Sequence, residues 1–332
     1  MQPETNTAKV QGAGARGSSE LTSLFSRLME SPLMLPLAGL IVVSIIMGFT
    51  SDNFFRIDNF LNVLRQASIV GILAVGMTFV ILTGGIDLSV GAVMALCGTL
   101  YAGLVVNSGM PAEAGLLVCI LIGLGFGLFN GALVAWGKMP AIIVTLATMG
   151  IARGLGLIYS GGYPISGLPS WLSWFGVGRL AGIPVPIIIM LVIYFIAWVL
   201  LQRTPFGRRV YAIGGNEMAA RLSGIKTERT KLIVYGISGL TAAFAAVILT
   251  GRLMSGQPNA GVGFELDAIA AVVLGGTAIA GGRGLIIGTL IGAVLLGILN
   301  NGLNLMGINP YLQNVIKGLI ILLAIYVGRE RR

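Results

Sequence analysis

Residues 114–136 read AGLLVCILIGLGFGLFNGALVAW, a run without a single charged residue. It is longer than the ~20 apolar residues that a helix needs to cross the hydrocarbon of a bilayer. Similar runs, separated by short polar breaks, occupy most of the chain on both sides of it. We predict ten membrane-spanning helices, at 33–50, 65–83, 88–107, 114–136, 141–159, 185–202, 232–253, 266–281, 285–303 and 311–328.

The composition agrees with a chain that faces lipid. Apolar residues make up 56% of the 332 residues and charged residues only 10%, whereas soluble domains are about a quarter charged. Fifty glycines would be costly in soluble helices, but they let membrane helices approach closely. The chain is therefore predicted to be an all-α integral membrane protein.

The basic residues indicate how the spans are oriented. With the N-terminus inside, 15 of the 21 basic residues fall in inner segments, as the positive-inside rule requires. The net charge of +9 is thus explained by the orientation of the chain in the membrane and does not indicate a nucleic-acid partner. The remaining six basic residues lie in the spans or outer segments: Arg56, Arg65, Arg153, Arg179, Arg252 and Lys317.

The predicted domain organisation is one membrane domain between two short cytoplasmic ends. Residues 1–31 are polar and Gly/Ser-rich, which is typical of a disordered cytoplasmic leader. A cleaved signal peptide is the alternative, but no A-x-A-like site follows the apolar run at 33–49. The membrane domain is expected at 32–328, with a basic inner loop at 203–231 and a cytoplasmic tail at 329–332.

Several classes of function are disfavoured by what the sequence lacks. Without any His, Ser/His/Asp catalysis is excluded and the commonest metal ligand is missing, so no catalytic or metal site is predicted. No G-x-x-x-x-G-K-[ST] motif is present to hold ATP. Few charges lie within the spans, which disfavours an ion-coupled secondary transporter, the main alternative, and a membrane-embedded enzyme. A neutral substrate and an external energy source fit best.

Two polar breaks contain acidic residues beside apolar helices. Residues 84–91 read GGIDLSVG, and Asp87 and Ser89 can cap the start of a helix, while Glu265 and Asp267 begin a similar helix in ELDAIAAVVLGGT. The competing hypothesis is a translocation pathway at a broken helix, where free backbone groups meet a hydroxylated substrate. Residues 86–99 and 264–277 also resemble each other and would start on opposite membrane faces, as in an inverted repeat.

Asparagines within the spans have two interpretations. Asn130 lies inside one span, and Asn300, Asn301 and Asn304 cluster at the outer end of another. Amides in lipid need partners, so these residues are either packing contacts between helices or the lining of a pathway for a hydroxylated substrate.

The inner loop contains the segment GGNEMAARLSGI at 214–225, with good helix formers ended by Gly224. We expect it to be the one inner piece long enough to form a docking helix for a soluble partner. Asn216, Glu217, Ala219, Ala220 and Gly224 are its candidate coupling residues, and small Ala220 would permit a close approach to a groove on that partner. The alternative is an amphipathic helix that lies at the lipid headgroups.

Together these segments and NNGLNL at 300–305 resemble the simple-sugar branch of bacterial ATP-binding-cassette importer permeases. The segment at 214–225 is similar to their E-A-A-x-x-x-G cytoplasmic motif, except that Met218 stands at the Glu position and Glu217 comes one residue early. The resemblance implies the large, ten-span importer architecture, a homodimer in the inner membrane, and a monosaccharide such as ribose as the substrate. It also implies a cytoplasmic ATPase subunit, which carries ATP and Mg, and a periplasmic sugar-binding protein. No cofactor is expected on this chain.

Overall fold

The computed structural model describes residues 33–50 and 54–329, and helices dominate it. Six helices are long and apolar enough to cross a membrane: α2 (Ile57–Leu82), α4 (Ala112–Ala135), α5 (Ala141–Ser160), α7 (Val185–Arg203), α10 (Thr227–Leu253) and α12 (Ile286–Leu305). The prediction of an all-helical, multi-span membrane protein is confirmed. The predicted leader at 1–31 and residues 330–332 of the predicted tail lie outside the described residues.

The other four predicted spans correspond to helices of unequal length. These are α1 (Met34–Thr50), α3 (Val90–Val106), α11 (Phe264–Leu274) and α13 (Pro310–Arg329). Helix α11 has 11 residues, so it is about 16 Å long and covers roughly half of the hydrocarbon. The prediction of a full crossing at 266–281 is therefore wrong. The helix stops at Gly275, and the next residue, Gly276, has a φ of +84° that helices do not adopt.

Shorter elements occupy the two long loops. The loop predicted to be outside contains β1 (Ile165–Ser166), a 3₁₀ turn at Ser170–Leu172, α6 (Ser173–Val177), β2 (Arg179–Leu180) and β3 (Ile183–Pro184). The inner loop contains α8 (Pro205–Gly215) and α9 (Glu217–Leu222). A strand after α10, β4 (Ser255–Gly256), pairs antiparallel with β1, and β2 pairs with β3.

The long helix α10 packs closely against α4 through glycines on both helices. A Cβ at Gly127 would collide with the carbonyl oxygen of Tyr235, and a Cβ at Gly239 would collide with that of Gly123. Only glycine permits this backbone approach. The expectation that glycines serve helix packing is confirmed at this contact.

The chain re-enters the membrane domain after α10 without forming a helix. A Cβ at Gly256 would lie 2.6 Å from the carbonyl oxygen of Gly98, and Gly261 packs directly on Gly91. Residues 254–263 therefore run back along α3 from its middle to its start. We call this the re-entrant segment. The segment ends where α11 begins, and this point lies beside the start of α3.

Candidate sites in the membrane domain and the inner loop

Asp87 lies in the break between α2 and α3 and is almost completely buried. Its Oδ1 accepts hydrogen bonds from the Ser89 backbone N (3.0 Å) and Oγ (2.6 Å). Its Oδ2 accepts a hydrogen bond of 2.7 Å from Ser238 Oγ in α10. The side chain therefore shapes the turn before α3 and ties that turn to a distant helix. Ser89, at the N-cap of α3, makes no side-chain capping hydrogen bond, so the predicted cap does not form.

Further hydrogen bonds join this break to two other helices. Asn130 of α4 donates from Nδ2 to Ser89 Oγ at 2.9 Å, and Thr145 of α5 donates to the Ile86 carbonyl oxygen at 3.1 Å. Sequence reasoning selected Asp87, Ser89 and Asn130 separately and missed Ser238 and Thr145. The only available signal for those two was a hydroxyl inside an apolar span. The structure joins Asp87, Ser89, Asn130 and Ser238 in one buried hydrogen-bond network, and Thr145 holds the same break through its backbone.

Two groups at this network keep unused hydrogen-bonding capacity. Asn130 Oδ1 and the Tyr235 hydroxyl are buried and have no hydrogen-bond partner among the described residues. A Cβ at Gly85 would collide with that hydroxyl, so Tyr235 lies directly against the break. Buried polar atoms without partners are costly, which makes this place suited to water or to a polar ligand.

Glu265 is the second residue of α11 and lies beside the start of α3. Its Oε1 accepts from the Gly263 N at 3.3 Å, while Oε2 is buried without a partner among the described residues. A Cβ at Gly91 would come within 2.6 Å of Oε2. Two helix N-termini, each with a partial positive charge, therefore flank this side chain.

The two halves of the suspected repeat meet at this point. Helix α3 leads from Gly91 to Gly103, which contacts Tyr159 near the end of α5. Helix α11 leads from Glu265 to Gly275, which packs on Gly288 near the start of α12. The two helices thus start side by side and run towards opposite faces, which agrees with an inverted repeat.

Asp267 forms an ion pair inside the membrane domain instead of capping its own helix. Lys317 Nζ of α13 lies 3.3 Å from Asp267 Oδ2, and both side chains are mostly buried. Helix α13 is thereby anchored to α11 by charge. Since Lys317 was assigned no partner from the sequence, this pairing is a finding of the structure alone.

The asparagine cluster mainly joins helices. Asn301 and Asn59 of α2 exchange two amide hydrogen bonds, of 2.9 Å and 3.0 Å. Asn304 Oδ1 accepts from Gln313 Nε2 of α13 at 2.9 Å. Asn300 Oδ1 is buried and has no partner among the described residues. Asn301 and Asn304 thus have the contacts of packing residues, and Asn300 keeps a free acceptor.

The inner loop contains one more helix than the sequence predicted. Thr204 caps α8 through a hydrogen bond from the Gly207 N, and Pro205 occupies its first position, a recognised start signal that was overlooked. With 11 residues, α8 is longer than α9, which has six. The expectation that 214–225 is the one inner piece long enough to form a docking helix is therefore wrong.

Helix α9 is held on the body of the protein by charges from α10. Asn216 caps it by accepting from the Ala219 N at 2.9 Å. Glu217 pairs with Lys231 at 2.7 Å, and Arg221 pairs with Glu228 at 2.7 Å. These contacts are partly exposed, so each contributes little to stability, but together they fix the helix in one orientation.

That orientation changes which residues face outward. Ala220 is only 5% exposed and packs against its own chain, so it does not meet a partner as expected from the sequence. Met218 and Leu222 are 66% and 82% exposed and lie one turn apart on the same side of α9. Ala219 is exposed with them, and Gly224 ends the segment with a φ of +84°. Sequence reasoning treated Met218 only as a departure from a motif and passed over Leu222.

Comparison with known proteins gives a consistent family assignment. A family model described as "Branched-chain amino acid transport system / permease component" matches residues 59–325. No solved structure gives a significant match.

Named relatives cover nearly the whole chain. The ribose import permease protein of Bacillus subtilis (strain 168) is 53% identical over 298 residues, covering 89% of this chain and 92% of that protein. The ribose import permease protein of Escherichia coli (strain K12) is 48% identical over 300 residues, covering 89% and 93%. The xylose transport system permease protein of the same strain is 36% identical, covering 88% and 90%. The chain therefore belongs to the family of transport-system permease components that this model describes.

Proposed function

We propose that this chain is the membrane-spanning subunit of an ATP-driven importer and that it carries ribose. The observation that supports this most directly is the identity of 53% and 48% to two ribose import permeases over about nine tenths of their length. The xylose permease is clearly more distant, at 36%. A neutral sugar also agrees with spans that contain few charged residues.

The proposal includes partners of the kinds that the resemblance implies. Two copies form the passage, a cytoplasmic subunit binds and hydrolyses ATP with Mg, and a periplasmic protein delivers the sugar. The chain sits in the inner membrane with both termini in the cytoplasm, in line with the excess of basic residues on that side. It performs no chemistry itself.

The contact with the ATPase is proposed at α9. Its exposed Met218 and Leu222 form an apolar pair outside the membrane spans. An exposed apolar surface in water commonly marks a site that binds a groove on another protein. Lys231 and Glu228 hold the other side of the helix on α10, so a push on α9 would reach a helix that spans the membrane. Asn216 and Gly224 set the ends of this helix.

The pathway is proposed at buried polar groups of the membrane domain. Glu265, Asn130 and Asn300 each have an oxygen without a partner among the described residues, and a sugar hydroxyl can donate to it. Asp87, Ser89, Asp267, Asn301 and Asn304 already have protein partners and would act mainly by holding the lining in shape.

Sugar uptake in cells tests the proposal. A strain that lacks its own ribose permease but keeps the matching ATPase and binding protein is supplied with this chain, and uptake of radiolabelled ribose is measured. We expect ribose uptake that excess unlabelled xylose barely reduces. Uptake should persist when an ionophore collapses the proton gradient while ATP is maintained. Uptake that follows the proton gradient would contradict the ATP-driven mechanism, and preferred xylose uptake would contradict the assigned sugar.

A further inference from the structure

Arg153 is a charged residue within the membrane-spanning helix α5. At 1.5 Å of rise per residue, it lies about 18 Å from the helix start at Ala141 and about 10 Å from the end at Ser160. A charge at such a depth costs about 2.5–3.5 kcal/mol on insertion scales, unless it faces water or a charged partner. The surroundings of this side chain therefore require an explanation.

No partner within the described residues neutralises Arg153. Four ion pairs join described residues, and none includes it. It also makes no hydrogen bond with them, although its side chain is partly buried. The nearby glycines Gly150 and Gly154 leave open space, since a Cβ on either would touch nothing within 4 Å. The guanidinium thus lies at a surface of α5 that no described residue covers.

Escape to the membrane surface does not suit this position. The Cα–Cβ bonds of a helix tilt towards its N-terminus, and for α5 this direction leads away from the nearer end at Ser160. Snorkelling to that end would require the side chain to reverse its direction and extend over about 10 Å. Water inside the protein is the better explanation.

The re-entrant segment points to water at the same place. A Cβ at Gly156 would lie 3.7 Å from Pro258, and Arg153 precedes Gly156 by one turn on the same side of α5. Asn259, the residue after Pro258, is exposed, as is Val262. Non-helical backbone at membrane depth is tolerated only where protein buries it or where it lines an aqueous cavity. A cation that pairs with no described residue and an exposed irregular backbone near it are independent signs of such a cavity.

We propose that Arg153 and the exposed side of the re-entrant segment line the aqueous passage, and that the guanidinium of Arg153 donates hydrogen bonds to hydroxyls of a neutral polyhydroxylated substrate. A guanidinium offers five N–H donors and no acceptor, which suits a substrate rich in hydroxyl oxygens. A neutral substrate is held by hydrogen bonds without an ion pair, so it is released readily. The identity of the substrate in this inference rests on the proposed function. The position of the passage rests on the structure alone.

Cysteine labelling tests the passage without reference to transport. In a background in which the buried Cys97 and Cys119 are replaced by Ala, Arg153→Cys, Asn259→Cys and a control, Ile151→Cys, are treated with a membrane-impermeant cationic thiosulfonate. Right-side-out and inside-out vesicles give access from both faces. Ile151 is half exposed and lies at the depth of Arg153 on another side of α5. We expect Arg153→Cys and Asn259→Cys to react at least tenfold faster than Ile151→Cys from one face. Equal, slow reaction of all three would overturn the passage.

Uptake kinetics test the contact with substrate. Arg153→Leu removes all donors and is expected to lower the maximal uptake rate at least tenfold, while Arg153→Gln, which keeps an amide donor, should lose less. Co-purification with the ATPase subunit shows whether each variant is assembled. Normal uptake by assembled Arg153→Leu would overturn the substrate contact. If Arg153→Cys is labelled but the wild-type chain carries no sugar, the passage stands and the proposed substrate fails.

Discussion

Ser238, in the middle of α10, donates a 2.7 Å hydrogen bond to Asp87 Oδ2, in the break before α3. The two residues are 151 positions apart in the chain, and both are buried. The shape of the break is therefore set by a tertiary contact as well as by its own glycines.

Substitutions of Asp87 should separate the hydrogen bonds of this residue from its charge. Asparagine keeps an acceptor for the Ser89 groups, and its amide can donate to Ser238, so we expect Asp87→Asn to retain most transport. Asp87→Leu leaves buried donors without a partner, at about 1–3 kcal/mol each, and should lower the unfolding temperature in detergent. A stable but inactive Asp87→Asn protein would show that the negative charge itself is required.

The ion pair between Asp267 and Lys317 should behave as a buried pair. Lys317→Met leaves the Asp267 carboxylate unpaired, and we expect a loss of about 3–5 kcal/mol in unfolding free energy. The double variant Lys317→Met/Asp267→Leu should recover most of it, because no buried charge remains. Thermal unfolding in detergent measures both effects. If stability returns in the double variant and uptake does not, Asp267 also serves the pathway.

The reciprocal amide pair of Asn59 and Asn301 should show energetic coupling. Asn301→Leu leaves the Asn59 amide without its partner in α12, although Asn59 still donates to the Phe54 carbonyl oxygen. A double-mutant cycle with Asn59→Leu should give a coupling energy of about 0.5–2 kcal/mol, within the range known for hydrogen bonds in membranes. Strictly additive effects on unfolding would show that the pair contributes nothing specific.

The exposed apolar pair of α9 should be required for coupling to the ATPase. We expect Met218→Asp/Leu222→Asp to abolish ATP-driven uptake and binding of the ATPase subunit, since charge in a docking groove is strongly unfavourable. Insertion into the membrane should be normal, because both side chains face away from the protein body. Ser223→Asp, on the same exposed stretch, serves as the matched control. Retained uptake in the double variant would remove α9 from the coupling role.

Labelling of single cysteines should fix the orientation of the loops. Ser223 and Ser166 are both exposed and lie in the inner and outer loops. In whole cells, an impermeant reagent should label Ser166→Cys and spare Ser223→Cys. Ser223 is preferred over Gly224, whose φ of +84° would strain a cysteine. The reverse pattern would invert the predicted topology.

The sequence predicted those parts of the fold that depend on apolar length and on charge. Nine of the ten predicted spans correspond to helices of 17 residues or more. These were predictable because a helix that crosses the hydrocarbon must present an apolar run of matching length. The span at 266–281 failed because hydropathy does not distinguish a helix from apolar, glycine-rich backbone that protein covers. Its Gly275 and Gly276 were visible in the sequence, but the close packing of Gly275 on Gly288 was not.

The sequence predicted which residues belong to the candidate sites but not how they are arranged in space. Asp87, Ser89 and Asn130 could be selected because polar groups stand out in apolar runs. Their hydrogen bonding with Ser238 depends on the packing of α4 and α10, which no local sequence pattern encodes. Ala220 was assigned to a partner's groove because small residues fit either a partner or the protein's own core. Which of the two applies was decided by the ion pairs of Glu217 and Arg221 with α10.

The non-helical path of residues 254–263 constrains how the chain is assembled in the cell. These residues cannot enter lipid by themselves, because their backbone groups would lack hydrogen-bond partners there. They need α3 as a cover, since Gly256 and Gly261 pack on its backbone. Synthesis from the N-terminus delivers α3, which ends at Val106, to the bilayer before this segment leaves the ribosome. The order of elements along the chain is thus also a workable order of membrane insertion. A permuted chain that began with residues 254–285 would present this segment to the bilayer before α3 is there to cover it.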